Sequence, residues 1–251
     1  MDWGTLTRKA RVALTPHSAF LTTKLSNGAL VKGRNRPGWG GRGIYIFRDE
    51  LEPELAHLEQ FVRAGDVFVD VGANVGVFTC KAAMQTGHGG LVIACEPFLE
   101  SAAQLYRNVA LNRFQNVRIR NLCMSDKTGP VQFWMNHAAP NSFSLIREGE
   151  ADAFNAFCVT LDDLVTQEDL KRLDYLKLDA EGAEEMILAG GAASIERFCP
   201  IIQVEININS IYLPPRYTRL SAGGNNHLYI PQGRPEALAT ALNLGWKHVS
   251  T

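Results

Sequence analysis

The sequence predicts an α/β fold: a mostly parallel sheet with helices on both faces, preceded by a β-hairpin. Three observations carry that expectation. From residue 65 onward, short apolar runs of strand length alternate with stretches of helical period. A glycine-rich turn, Gly72-Ala-Asn-Val-Gly76, joins the first such run to the first such stretch. Near the start, Ser26-Asn27-Gly28 separates two apolar-rich runs, and Asn-Gly tolerates positive φ at both central positions of a hairpin turn. Strands alternating with helices give β-α-β units. Their right-handed crossovers place helices on both sides of the sheet.

The elements follow in order. Residues 20–25 and 29–32 form the hairpin, and the Gly-rich stretch 37–43 reads as a mobile loop. Leu55, Leu58, Phe61 and Val62 share one face of a helix over 52–62. Residues 67–71 are a continuous apolar run, hence a buried strand. A helix over 74–85 ends at Gly87-His-Gly-Gly90, and 91–95 is the next strand. A helix covers 98–112, a third strand 117–123, and an edge hairpin strand 131–134. A helix over 161–173, capped by Asp162, precedes a strand at 175–178. Then come a helix over 183–189 closed by Gly190-Gly191, a strand at 200–206, a strand at 227–230, a helix over 235–244 and a last strand at 246–249. Residues 1–48 are an extension, and 49–251 form the alternating domain.

Composition narrows the function classes. The chain has 251 residues, 46% of them apolar, with 25 Lys plus Arg against 26 Asp plus Glu. A near-neutral balance argues against a nucleic-acid partner, which needs a basic excess. The apolar content argues against disorder. The five cysteines are odd in number and lack a C-x-x-C pair, so neither a disulfide framework nor a zinc knuckle is expected, and a reducing compartment fits. The N-terminus lacks a secretory apolar region, and no run approaches the ~18 apolar residues of a membrane span. The expectation is a cytoplasmic protein with no membrane span.

Ligands of such sheets sit outside the C-terminal ends of the strands. After the first strand stands Asp70-Val-Gly72-Ala73-Asn74-Val-Gly76. A dinucleotide fingerprint counted from Gly72 needs glycine at 74 and 77, and this chain has Asn74 and Val77. Asp70 is awkward beside a phosphate and suits a cationic ligand. S-adenosylmethionine, with its α-ammonium and sulfonium, is such a ligand. About twenty residues on, Glu96-Pro97 is placed for a ribose diol, or as a helix N-terminal acid. Ser125 and Asp126 follow the third strand, where they either accept from an adenine amino group or simply make a turn. Asp179 and Glu181 follow the fourth strand; each is a site acid or a cap of the next helix. Glu205 interrupts the apolar fifth strand and faces Lys177 or Asp179. It is either catalytic or half of a buried pair with Lys177.

Phe68-Val-Asp-Val-Gly-Ala-Asn-Val-Gly76, Glu96-Pro97, Thr160-Leu-Asp-Asp-Leu164, Leu176-Lys-Leu-Asp-Ala-Glu-Gly-Ala-Glu184 and Val204-Glu205 resemble the FkbM-type methyltransferases in order and spacing. The resemblance covers roughly residues 50–210. It implies a class I, Rossmann-like, seven-stranded fold. It also implies S-adenosylmethionine-dependent methylation of a hydroxyl on a sugar, glycan or natural product. Carried over residue by residue, Asp70, Gly72, Ala73, Asn74 and Gly76 surround the methionine part, with Glu54 a weaker candidate. Glu96 with Pro97 holds the ribose, Ser125 and Asp126 lie near the adenine, and Asp179 touches the cofactor as well as the acceptor.

Methyl transfer from a sulfonium is an in-line displacement, so alignment carries much of the rate. An alcohol needs a base near it. Asp179, Glu205 and His227 are the candidates, with His137 behind them; His227 lies beyond a long loop, 210–226, able to close over the site. Alternatively a divalent cation held by Asp179, Glu205 and Asn207 acidifies the hydroxyl. A nicotinamide oxidoreductase and a catalytically silent binding module are the rival functions. The acceptor and the oligomeric state are not legible.

Overall fold

The computed structural model describes residues 2–37, 41–136, 143–144, 151–205, 213, 216–223 and 226–249. Helix α1 (Trp3–Leu14) opens the chain and the hairpin β1 (Phe20–Lys24) and β2 (Leu30–Arg34) follows. Helix α2 (Arg42–Phe47), a 3-10 turn (Arg48–Leu51) and α3 (Pro53–Phe61) lead into the alternating part. There β3 (Val67–Val71), α4 (Val77–Thr86), β4 (Leu91–Cys95), α5 (Leu99–Asn112) and β5 (Val117–Arg120) succeed one another. Next come β6 (Cys123–Met124), β7 (Gly129–Asn136), β8 (Phe143–Ser144), β9 (Ala151–Val159) and α6 (Leu161–Gln167). β10 (Tyr175–Leu178), α7 (Glu184–Ala189), α8 (Ala192–Phe198) and β11 (Ile201–Val204) resume the pattern. β12 (Tyr217–Ser221), β13 (His227–Pro231), α9 (Pro235–Asn243) and β14 (Lys247–His248) complete it.

The main sheet has eight strands in the order β14-β12-β13-β11-β10-β3-β4-β5. β5, β4, β3, β10 and β11 are mutually parallel, while β13 runs antiparallel to β11 and β12 antiparallel to β13. The chain steps outward from β3 through β4 to β5, then crosses back to β10 on the other side of β3. This reversal opens a crevice beyond the C-terminal ends of β3 and β10, where open α/β sheets bind ligands. The architecture is the mostly parallel Rossmann-like sheet expected. The strand beyond the expected seven is β12, which lies in the stretch read as a long loop.

Burial explains why the central strands form where they do. Val69, Val71, Leu176, Leu178, Ile202 and Val204 pack under α6, α7 and α8 on one face. Phe68, Tyr175 and Ile201 pack under α3 and α4 on the other, with Phe68 stacked on Tyr175 at 5.0 Å between ring centroids. Leu25, Ala29, Val31 and Ile44 join this second cluster, so the hairpin shares its core.

Several expectations are corrected. The third strand ends at Arg120, and Cys123–Met124 leaves it to join a separate four-stranded sheet, β6-β9-β7-β8. The sequence pattern predicts no strand at β9, because it is largely solvent-exposed and shows no alternating burial. The β6–β9 pairing sets Cys123 opposite Cys158, and the two form a disulfide with Cα atoms 4.4 Å apart. Cysteine spacing argued against any disulfide; the pairing of these strands is what joins residues 35 apart. Thr160, not Asp162, caps α6, and Asp162 instead accepts from the N–H groups of Ala193 and Ser194 at the start of α8. His137, Asn207 and part of the Gly-rich stretch lie outside the described residues.

Candidate active site

The crevice opens where β3, β4 and β10 end, and Val71, Gly72, Asn74, Glu96, Asp179 and Glu181 are among the residues that line it. The turn after β3 forms its floor. Gly72 has φ +74°, and a Cβ there would stand 1.8 Å from the Asp179 carbonyl oxygen. Only glycine lets the turn run this close to the end of β10. Gly76, at φ +89°, presses on α5, where a Cβ would meet Leu105 Cδ1 at 2.3 Å. The N–H groups of Gly72 and Ala73 donate to the Cys95 carbonyl at 3.1 and 3.0 Å, tying the turn to β4. Ala73 is buried against Ala94, Leu105 and Ile119. Asn74, at φ 50°, donates its N–H to Glu96 Oε2 at 2.8 Å and accepts from Ser101 Oγ at 3.2 Å.

Glu96 lines the crevice beside Pro97. Its Oε1 accepts from the Phe98 N–H at 2.8 Å, so each carboxylate oxygen has one backbone donor and a lone pair to spare. Burial pushes its pKa up to about 7, against those two hydrogen bonds. Leu122, Cys123, Met124 and Phe133 form the apolar wall. Ser125 and Asp126 do not line it; Ser125 is buried and donates to Asp126 Oδ1 at 3.1 Å. Phe133 reaches the crevice from β7, a strand of the other sheet, which no signal local to the strand ends could show.

Asp70 is also placed differently from expectation. It is fully buried and does not line the crevice. Thr79 Oγ1 donates to it at 2.5 Å, and Lys177 Nζ stands 3.6 Å away. Burial raises its pKa against the pull of Lys177. The reason is strand parity: Val69 and Val71 face one layer, so Asp70 faces the other with Phe68.

Asp179 does reach the crevice, and it lines a second chamber as well. That chamber, about 480 Å³, is also lined by Glu52, Lys177, Gln203, Glu205 and Asn226. Lys177 donates to Asp179 Oδ2 at 3.1 Å and lies 4.9 Å from the Phe78 ring centroid. Burial opposes the Lys177 charge, but Asp179 and Asp70 outweigh it and hold its pKa above the usual lysine value. The Asp179 carboxyl is held below its usual value: burial works against this, and Lys177 and a hydrogen bond from Glu205 prevail. Glu205 is pushed up to about 8 by that hydrogen bond, by burial and by the Asp179 charge. At neutral pH Glu205 therefore carries the proton it shares with Asp179. The Lys177–Glu205 ion pair considered from the sequence is not the arrangement found; Lys177 pairs with Asp70 and Asp179.

Glu54 stands behind this chamber rather than in the crevice. Asn226 Nδ2 donates to its Oε2 at 3.1 Å, Oε1 has no partner, and burial pushes it up to about 7. Glu52, which the sequence reading passed over, lines the chamber and is also raised by burial. His227 is the first residue of β13, where the sequence predicts a strand from 227, and is buried opposite Val204 and Ser221. Its Nδ1 has no partner, and burial together with Arg219 lowers its pKa. It lines neither cavity. Glu181 lines the crevice at φ 51° and caps no helix; Glu184 closes that turn by accepting from the Ala180 N–H at 2.9 Å. Among the described residues, no three His, Cys, Asp or Glu are placed to hold a metal ion. No helix among them is long and apolar enough to cross a membrane.

Residues 70–214 match the family described as the Methyltransferase FkbM domain. Over 202 residues the chain is 26% identical to the 31-O-demethyl-FK506 methyltransferase FkbM of Streptomyces tacrolimicus, covering 67% of this chain and 75% of that one. Among solved structures, methyltransferase FkbM from Methylobacillus flagellatus KT aligns with a TM-score of 0.47 at 17% identity, over 74% of this chain and 52% of that one. The chain thus spans about half the length of that relative. Aeropyrum pernix fibrillarin, solved with natively bound S-adenosyl-L-methionine, aligns with a TM-score of 0.39 at 13% identity, over 90% of this chain and 84% of that one. The family match takes in more than half of the 251 residues, and the chain belongs to the FkbM methyltransferase family.

Proposed function

We propose that the protein is an S-adenosylmethionine-dependent methyltransferase acting on a hydroxyl oxygen of a neutral, polyhydroxylated acceptor such as a sugar, glycan or related natural product. One observation carries the reading. Asp179 forms a wall common to the crevice at the strand ends and the acid-lined chamber.

The crevice residues fit the cofactor. The spare lone pairs of Glu96 match the two donors of a ribose diol. Leu122, Met124 and Phe133 offer an apolar wall for a flat base, and Asp179 with Glu181 offers anionic surface to a cationic end. When bound, S-adenosylmethionine supplies a methyl group already activated by its sulfonium. The chain supplies alignment and proton transfer. The Gly72 turn and the end of β10 fix the two walls against each other, so an acceptor in the chamber faces the crevice across Asp179. Glu205, once ionised, takes the acceptor hydroxyl proton, and Lys177 keeps Asp179 beside it. Glu52, Gln203 and Asn226 present side-chain donors and acceptors to further hydroxyls. An anionic acceptor would meet Asp179 and Glu205 instead. Methylation at oxygen is supported by the name of the Streptomyces tacrolimicus relative.

Calorimetric titration with S-adenosylmethionine and with NADH, followed by methyl transfer to a panel of hydroxylated acceptors, tests the reading. S-adenosylmethionine binds and NADH does not. Turnover rises with pH through a limb near 8, where Glu205 loses its proton, and Glu205→Gln abolishes that limb. Preferential NADH binding, or a limb that persists in Glu205→Gln, refutes it.

A further inference from the structure

The near-zero charge of the whole chain conceals a strong segregation. Residues 1–48 carry nine Lys or Arg and one Asp, a net +8, whereas residues 49–251 carry sixteen basic and twenty-five acidic side chains, a net −9. Such asymmetry marks a surface for an anionic partner.

The same segment holds a helix whose apolar side faces outward. Val12 of α1 packs on Leu21 and Ile46, and Thr5 is buried beside it. Asp2 caps the helix by accepting from the Thr5 N–H at 2.6 Å. Arg8 Nε donates to the Ile46 carbonyl at 2.6 Å, and Asn35 Nδ2 to the Val12 and Thr15 carbonyls at 3.0 and 2.7 Å. These contacts anchor the helix and fix which side looks out. At ~100° per residue, Trp3, Leu6, Ala10 and Leu14 share a sector about 80° wide. Trp3 is 84% exposed, Leu6 45% and Leu14 88%. Lys9 and Arg11 border that sector on its two sides. An apolar stripe turned to solvent between basic flanks has the character of a helix lying in a bilayer interface, with Trp and Leu among the acyl boundary and Arg or Lys at the headgroups. A nucleic acid would use the charge and leave the stripe idle. An apolar protein surface would use the stripe and leave the charge idle.

We propose that α1, with the basic segment around it, docks the protein peripherally on an anionic lipid surface. The docking is independent of the methyl-transfer reading. The test is sedimentation of the full chain with vesicles of phosphatidylcholine alone and of phosphatidylcholine mixed equally with phosphatidylglycerol. Binding to the anionic vesicles is at least about tenfold stronger and weakens as salt is raised. Trp3→Ser with Leu14→Ser lowers it at least about tenfold, and Lys9→Glu with Arg11→Glu lowers binding to the anionic vesicles only. Both variants keep wild-type affinity for S-adenosylhomocysteine, because none of the substituted side chains lines the crevice. Equal binding to both vesicle types overturns the proposal, as does binding unaffected by the Trp3 and Leu14 changes. So does tighter binding to single-stranded RNA than to vesicles, or a concentration-dependent dimer that the Trp3 and Leu14 changes dissolve, since a second copy would then own the face.

Discussion

Glu96 gives the sharpest test of the crevice, because its chemistry can be read without knowing the acceptor. In the free protein its pKa is about 7. A ribose diol is a double donor, so it favours the ionised carboxylate, which keeps a spare lone pair on each oxygen beside the N–H groups of Asn74 and Phe98. Binding must therefore release a proton from the fraction of molecules in which Glu96 is protonated. That fraction is about nine-tenths at pH 6, one-half at pH 7 and one-tenth at pH 8 for a pKa near 7. S-adenosylhomocysteine should then bind about tenfold more tightly at pH 8 than at pH 6, with about half a proton released at pH 7. Glu96→Gln removes the titration and weakens binding at pH 8. Hydrogen bonds to a charged group contribute ~1.5–3 kcal/mol, so the loss is about 10- to 100-fold. Calorimetry in buffers of different ionisation heat measures affinity and proton count together. An affinity that is flat from pH 6 to 8, or a pH dependence that survives in Glu96→Gln, refutes the assignment.

Three further outcomes follow from other contacts. Glu54 is buried and raised from 4.5 to about 7, so its stabilising contribution is complete below pH 4.5 and is lost as pH rises through 7. Glu54→Gln should flatten the decline by up to about 3 kcal/mol, read from urea unfolding at pH 5 and pH 8; an unchanged difference between the two pH values sinks the point. Gly72→Ala drives a Cβ to 1.8 Å from the Asp179 carbonyl. It should cost about 3 kcal/mol or more, lower Tm by roughly 6–12 °C and abolish S-adenosylhomocysteine binding; a folded variant with wild-type affinity is the contrary result. The Cys123–Cys158 bond closes a separation of 35 residues, worth about 4 kcal/mol on the chain-entropy estimate. Adding reductant should lower the stability of the wild type but not of Cys158→Ser, and equal sensitivity in both would mean that the bond does not form in solution.

How much of this was legible depended on burial. The strands at 67–71, 91–95 and 175–178 are found where expected, residue for residue, because a strand buried on both faces is a bounded apolar run. The first crossover helix starts at Val77 rather than 74, because Asn74 and Gly76 both have positive φ and cannot belong to a helix. α1, β9 and β12 escaped because their stability comes from caps, ladders or one-sided contacts that leave no clean period. Gly72, Asn74, Glu96, Pro97 and Asp179 line the crevice, as strand-end reasoning expected. Asp70 does not line the crevice, since its neighbours Val69 and Val71 commit it to the opposite face. Glu52 and Glu54 carry no local signal, because only the return of β13 brings Asn226 to them. The charge segregation was in the sequence throughout, but a sum over the whole chain erases it.

The buried charges at the β3–β10 junction explain why an acid just before the turn can matter without touching a ligand. Asp70 and Lys177 are register partners on adjacent parallel strands. Lys177 alone would be an unpaired buried cation, which a folded protein does not tolerate cheaply. Two carboxylates share it: Asp70 wholly buried at 3.6 Å, and Asp179 at 3.1 Å at the mouth. Of the two carboxylates, the partly exposed one, Asp179, is the one that reaches the crevice. Asp70 thus acts from behind, fixing the ammonium that fixes Asp179. A negative mouth disfavours a pyrophosphate and favours a ligand whose reacting end carries ammonium and sulfonium. The proton on Glu205 keeps that charge from doubling at neutral pH. Its release near pH 8 adds negative charge on the chamber side, where the proposed function puts the acceptor hydroxyl. On the proposed function, the sign that selects the cofactor and the base that activates the acceptor would be two states of one carboxylate pair, read from opposite sides of Asp179.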